Sequence, residues 1–414
     1  MSSNAWLAAI IAAGIALRVA AATLLALPIE SDALGYFTMA TNLAEHGILL
    51  DHFDQHIFYS AGYPLLLAPV FALSGASFRV AFAVNMLLCA ATICLIHRLT
   101  VRLSGSNPAG LLAAAAFAVW LPAIWNASML AKENLSTPLL LALALCAIDL
   151  ARNRAAPGTA LLAGLLWGAS ILTGGSSLMT YLAVGIALIA VLRSGCGAAR
   201  VIRAGIVFLA GTLLLLGPWL YAADQMVGRP ILSSNPGFNL YLGNNPAATG
   251  WFISISDTPA GKGWEATRHR LGEAGTAQML QDMAATWIRE NPAQAAQLAA
   301  RKLVYFWQPN LPDAADFAAS RLIASVRIVE VAQYFVILGL GALAFFSRRI
   351  RGEDRLIMAT IILCFWIVHA AAYIIMRYRD PVVALLIPMA AIPVASYGVS
   401  LGTLLRGRRT ATQP

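Results

Sequence analysis

Charge is scarce in this chain. Lys, Arg, Asp and Glu make up 11% of its 414 residues, where a soluble domain carries about a quarter. Hydrophobic residues reach 59% and the mean hydropathy is +0.73. That excludes a water-soluble globule, because so apolar a chain needs lipid over much of its surface. Cysteine is scarce too. Cys89, Cys94, Cys146 and Cys364 fall in apolar stretches and Cys196 in a basic loop, which excludes a disulfide framework and fits no metal-ligand spacing. There is no phosphate-binding P-loop, dinucleotide-binding glycine fingerprint, nucleophile elbow or HExxH helix. No repeat marks a solenoid, and the half-to-half symmetry of many transporters is missing.

What the chain does have is ten apolar stretches, at 5–27, 77–96, 108–127, 134–151, 159–174, 177–193, 202–222, 327–346, 356–376 and 381–405. A helix needs about 20 such residues to cross a bilayer. The expected fold is therefore an all-α membrane protein with about ten transmembrane helices. The first stretch lacks a basic leader and holds Arg18 in its middle, so it reads as an anchor rather than a cleaved signal. Fourteen of the 28 basic residues fall in five short segments: 98–102, 152–154, 193–203, 348–355 and 406–409. The positive-inside rule puts those segments and both chain ends in the cytoplasm. The formal charge of +9 is accounted for by that bias, so the partner is the bilayer and no nucleic acid is expected.

The chain divides into an N-terminal transmembrane module (1–222) carrying a first outer loop, an outer helical region (223–326) and a C-terminal transmembrane module (327–414). Within the outer region, 264–304 reads as helices broken at Asn291-Pro292. Trp287, Ile288, Leu298, Leu303, Tyr305, Phe306 and Trp307 are expected to rest those helices on the membrane surface. Tyr63–Ser74 is apolar but too short to span.

Three outer features carry chemistry. Glu30-Ser31-Asp32 follows the first span, where partial burial raises a carboxylate's proton affinity and makes Asp32 a usable base; the bland alternative is a helix cap. Tyr36 lies one turn beyond. Lys132-Glu133 opens the fourth span, either as an interface marker with Lys132 snorkelling or as a second acid at the depth of Asp32. Arg377 and Arg379 flank Tyr378 in an outer turn, against the charge bias, and offer the paired donors that suit phosphate; headgroup contact is the alternative. Arg18 either snorkels or is paired. Asp51 to His56 (DHFDQH) has metal-ligand residue types, but its spacing favours a solvated loop.

These strings stand in order with Ser60-Ala61-Gly62-Tyr63-Pro64, Asn239-Leu240-Tyr241-Leu242-Gly243-Asn244-Asn245-Pro246, Trp287-Ile288-Arg289-Glu290-Asn291-Pro292, Arg301-Lys302-Leu303 and Arg377-Tyr378-Arg379-Asp380-Pro381. Together they resemble the GT-C membrane glycosyltransferases that use polyprenyl-phosphate sugars. The resemblance is to the bacterial relatives of the protein mannosyltransferases and of the lipid A aminoarabinose transferase. It implies juxtamembrane helices on the outer face and an inverting hexosyl- or pentosyltransferase in a bacterial inner membrane, with its site on the periplasmic face. The donor would be a polyprenyl-phosphate-linked sugar and the acceptor a lipid, glycan or protein.

By the same resemblance Asp32 is the catalytic or metal-associated carboxylate and Glu133 the second acid. Glu30, Tyr36, Tyr63, Lys132 and Tyr378 join the substrate-binding set, and Arg377 and Arg379 neighbour the lipid phosphate. A divalent cation, magnesium or manganese, stays open. The chain departs from relatives at Asp32-Ala33, where many have Asp-Glu, and at Ser60-Ala61, often Pro-Pro. It also departs at Thr173-Gly174-Gly175, often Thr-Arg-Pro, which leaves open which cation meets the phosphate. The rival reading is a lipid-linked-sugar flippase, which needs ionisable groups spread through the midplane; here the acids gather on the outer side.

Overall fold

The computed structural model describes residues 2–25, 29–313, 316, 318 and 320–410, with 397–410 described by their backbone. Leu27, the expected end of the first span, and the last four residues lie outside the described residues. In chain order, α1 (Ser3–Leu25), α2 (Ser31–His46) and α3 (Gly62–Ser74) precede α4 (Phe78–Ser104). Next come α5 (Asn107–Ala118), α6 (Leu121–Ser128), α7 (Glu133–Arg152), α8 (Pro157–Thr173) and α9 (Tyr181–Arg193), the last preceded by a 3-10 turn, Gly175–Thr180. The remainder is α10 (Ala198–Val227), α11 (Asn235–Gly243), α12 (Trp264–Glu290), α13 (Pro292–Phe306), α14 (Arg321–Ala344), α15 (Gly352–Ala371) and α16 (Asp380–Thr410). Among the described residues there is no strand, only an isolated bridge between Trp251 and Ile374.

Eight helices among the described residues are long and apolar enough to cross a bilayer: α1, α4, α7, α9 with its leading turn, α10, α14, α15 and the apolar part of α16. α5 and α6 make a ninth if their 53° bend lies within one broken span. The stretch expected at 159–174 is α8, only 17 residues long. It packs tightly on α10: a methyl on Gly164 would collide with the Phe208 carbonyl, and one on Gly211 would sit 2.6 Å from the Leu161 carbonyl. Thr212 closes the contact by donating to the Gly164 carbonyl at 3.1 Å. Small residues at such a crossing let helix backbones approach within a membrane.

Arg18 does not snorkel. It is buried, and its guanidinium donates to the carbonyls of Gly14 (3.0 Å), Ala118 (2.9 Å) and Phe117 (3.3 Å). The last two close α5, where helical donors run out. Arg18 thereby holds the bend that turns α6 toward the start of α7. At the far end of α7, Arg152 pairs with Asp354, and Asp149 pairs with Arg102 at 2.6 Å. These contacts bring the basic ends of α4 and α7 together with the start of α15.

One expectation is corrected in α13. Leu298, Lys302 and Phe306, four residues apart, turn into the protein rather than onto lipid. Trp366 on α15 donates its indole N–H to the Leu303 carbonyl at 2.9 Å. An apolar stripe at helical spacing has the same sequence whether protein or lipid covers it.

Lys302 is the costly member of that stripe. Its Nζ donates to Asn244 Oδ1 at 3.1 Å and meets no carboxylate among the described residues. Burial pushes the ammonium down to about 8, whereas the unfolded chain keeps that proton to about 10.4. Between those values the unfolded state binds more protons, so stability rises with pH there and is lost as pH falls through 8. Lys302→Met should be more stable than the parent near pH 7 and should lack that rise. Melting temperatures recorded from about pH 6 to 11 check this; an identical pH slope in both proteins would sink it.

Candidate active site

The first-loop acid, the second-loop acid and the last-turn arginine meet. Asp32 lies in the first turn of α2, Glu133 opens α7, and Arg377 sits in the 3-10 turn Met376–Arg379 that leads into α16. Arg377 Nη2 donates to Asp32 Oδ2, and its Nε lies 3.7 Å from Glu133 Oε1. The two acids differ in access. The Asp32 side chain keeps 32% of its exposure and Glu133 only 4%. Asp32 is therefore open to the outside, while Glu133 is enclosed behind it. The alternative of a helix cap does not apply: Glu30 stands at the cap position with no side-chain cap bond, and Asp32 is spent on Arg377.

The other expected residues separate into groups. Glu30 is exposed, and its side chain has no partner among the described residues. Tyr36 is buried, with ring centroids 5.4 Å from Tyr59 and 5.7 Å from Tyr63, both edge-on. Burial and then the Glu133 charge hold its hydroxyl well above the usual range, so it remains a donor. Tyr63 donates to Asn85 Oδ1 at 2.6 Å, and Asn85 donates on to the Ala127 and Met129 carbonyls. That chain ties the first loop to the second. Gly62 allows it, since a methyl there would press on the Thr173 backbone. Lys132 lies over the Tyr378 ring, 5.7 Å from its centroid, and the Tyr378 hydroxyl donates to that of Tyr373 at 3.4 Å. Arg379 stands apart from Arg377: it is buried, donates to the Gln308 carbonyl and lies 4.5 Å from the Tyr334 ring centroid.

A divalent ion would take Asp32 and Glu133 as its carboxylate ligands. Arg377 already lies between them, and no group of three His, Cys, Asp or Glu side chains gathers among the described residues. Hard cations of this kind need several oxygen ligands. Magnesium held by one or two carboxylates completes its shell with water and substrate phosphate, so an ion here would have to take at least one of the acids from Arg377.

No protein-family model matches the sequence, and no curated protein matches it. Solved structures do. An oligosaccharyltransferase from Archaeoglobus fulgidus in its apo form superposes with a TM-score of 0.59 at 12% identity, over 100% of this chain and 52% of that one. The archaeal oligosaccharyltransferase AglB of the same organism, in complex with an inhibitory peptide and a dolichol-phosphate, gives 0.55 at 14% identity, over 99% and 52%. ArnT from Cupriavidus metallidurans, bound to undecaprenyl phosphate, is looser at 0.46 and 14%, over 95% and 79%. The two archaeal likenesses, at 0.59 and 0.55, show that the chain has the GT-C fold. At these identities the likeness is one of fold, and the chain spans about half the length of the archaeal enzyme.

Two features of the site escape sequence reasoning. Asn126 on α6 donates to Asp380 Oδ2 at 2.7 Å, joining residues 254 apart, and Asn134 donates to the Asn126 carbonyl at 2.9 Å. Arg18, Asn126, Glu133 and Asp380 line a small cavity of about 30 Å³, larger than the roughly 10–15 Å³ one water requires. Asp380 stood in view within Arg-Tyr-Arg-Asp-Pro, but nothing local pointed it at Asn126. The second feature is Glu273, just past a break in α12 at Gly272. Its carboxylate accepts from the His56 and Ile57 amides (2.8 and 3.0 Å) and the Ser234 hydroxyl (2.7 Å). It clamps the first loop from 216 residues away. In that loop Asp51 Oδ1 accepts from the Phe53 and Gln55 amides, so the DHFDQH run is a tight turn.

Proposed function

We propose that this protein moves a sugar, with inversion, from a polyprenyl-phosphate donor to an acceptor at the outer face of a bacterial inner membrane. The acceptor hydroxyl or amine attacks the anomeric carbon, and its proton passes to Asp32 Oδ1. Arg377 holds the other carboxylate oxygen. The bond from the anomeric carbon to the phosphate oxygen breaks, and polyprenyl phosphate leaves with the bonding pair. Glu133, shielded from solvent, keeps Arg377 in place. The observation that carries this reading is the arginine-bridged pair of one reachable and one enclosed carboxylate, set in a GT-C fold. The outward orientation is supported by the arginine distribution.

Purified protein, supplied with polyprenyl-phosphate hexoses and pentoses and an extract of the host envelope, should release polyprenyl phosphate only when acceptor is present. No acceptor-dependent release from any donor would overturn the reading. For orientation, cysteines at Ser254 and Asn153 in a cysteine-free background are treated with an impermeant reagent on intact cells. Ser254 should label and Asn153 should not; the reverse places the site inside.

A further inference from the structure

We infer that Lys132 is the cation that receives the lipid-borne phosphate, and that it does so in the space left open by Gly174. The inference rests on the transfer reading above and assigns its phosphate subsite. Of the cations around the acidic pair, Arg377 is committed to Asp32 and Glu133, and Arg379 is turned away to Gln308 and Tyr334. Lys132 alone keeps its donors. Its Nζ makes no hydrogen bond or ion pair among the described residues; it lies over the face of Tyr378, and its charge acts on Glu133 without a direct contact. A developing dianion at this site thus finds one cation whose approach displaces no existing carboxylate.

A glycine borders that ammonium. A Cβ added to Gly174 would stand 3.8 Å from Lys132 Nζ and 3.6 Å from the Ser176 hydroxyl. Gly174 has φ −176°, an extended conformation open to any residue, so the backbone does not require glycine there. What glycine supplies is room beside Lys132, bordered by a second donor. The turn and helix that follow present Leu178, Met179 and Tyr181 at 39–45% exposure. An apolar chain attached to a phosphate at Lys132 can lie on that surface. The chemistry recognised is a phosphate carried on a hydrocarbon chain, whether donor lipid or bulk anionic lipid.

The test uses the full chain in nanodiscs of zwitterionic lipid, titrated with a polyprenyl monophosphate. Losing a charge-assisted bond should weaken binding roughly ten- to a hundredfold in Lys132→Ala. Lys132→Gln, close in shape, should show the same loss with the parental melting temperature, which separates binding from folding. Gly174→Arg in the Lys132→Ala background should restore most of the affinity. Equal binding by parent and Lys132→Gln overturns the inference and leaves the transfer reading standing. No binding even by the parent overturns both. In a parallel arm, phosphatidylglycerol replaces the polyprenyl lipid. Equally tight, Lys132-dependent binding there assigns the site to bulk lipid and removes Lys132 from the reaction.

Discussion

Asp32→Asn is expected to cut sugar transfer by about 10²–10⁴ while donor binding survives, the range that general-base assistance supplies. The substitution keeps the size of the side chain and an oxygen for Arg377. It removes the ability to take a proton from the acceptor. Arg377 retains Glu133 as its partner, so the arginine has no cause to leave the site. The loss should therefore appear in the turnover rate of a purified, folded variant, with polyprenyl-phosphate affinity close to the parent's. If the variant turns over at the parental rate, Asp32 is not the base. Equal losses in transfer and donor affinity would make it a binding group instead.

How much of this was legible beforehand depends on the range of each signal. Spans are local and show in composition, which is why the helices fall where hydropathy puts them. The bend between α5 and α6 is an exception, held by Arg18 from α1, a long-range contact. The convergence of Asp32 and Glu133 followed from placing two outer segments at one depth, a topological argument that needs no contact information; Arg377 was placed only in an outer turn, and the resemblance put it beside the lipid phosphate. Arg377 and Arg379 could not be told apart, because two residues along a 3-10 turn face different neighbours and the choice between them lies with Gln308 and Tyr334. The inward face of α13 was misread because lipid and protein select the same apolar stripe. Glu273 and the Asn126–Asp380 pair leave no local trace at all; each is a carboxylate answering an N–H group more than 200 positions away.

The second large effect concerns the bridge itself. Arg377→Ala should destabilise the protein by about 3–5 kcal/mol, the loss typical when one partner of a buried charge pair is removed. Glu133 makes the cost high. It is 4% exposed, neither of its oxygens has a hydrogen-bond partner, and Arg377 is its ion partner among the described residues. Glu133→Gln removes the charge and should be milder, since the arginine still holds Asp32. Their combination should then recover part of the stability lost in Arg377→Ala, because the stranded charge is gone. Such a deficit from additivity is what a double-mutant cycle measures between groups in contact. Unfolding of the four proteins in detergent, followed by circular dichroism, gives the cycle directly. Arg377→Lys supplies the control for shape: it keeps one positive charge but loses the fork that reaches two carboxylates at once, so it should fall between parent and alanine. Additive single and double mutants would mean that Glu133 does not depend on Arg377. The two acids would then act separately, and the assignment of Glu133 as the group that holds Arg377 in place would fail with the bridge.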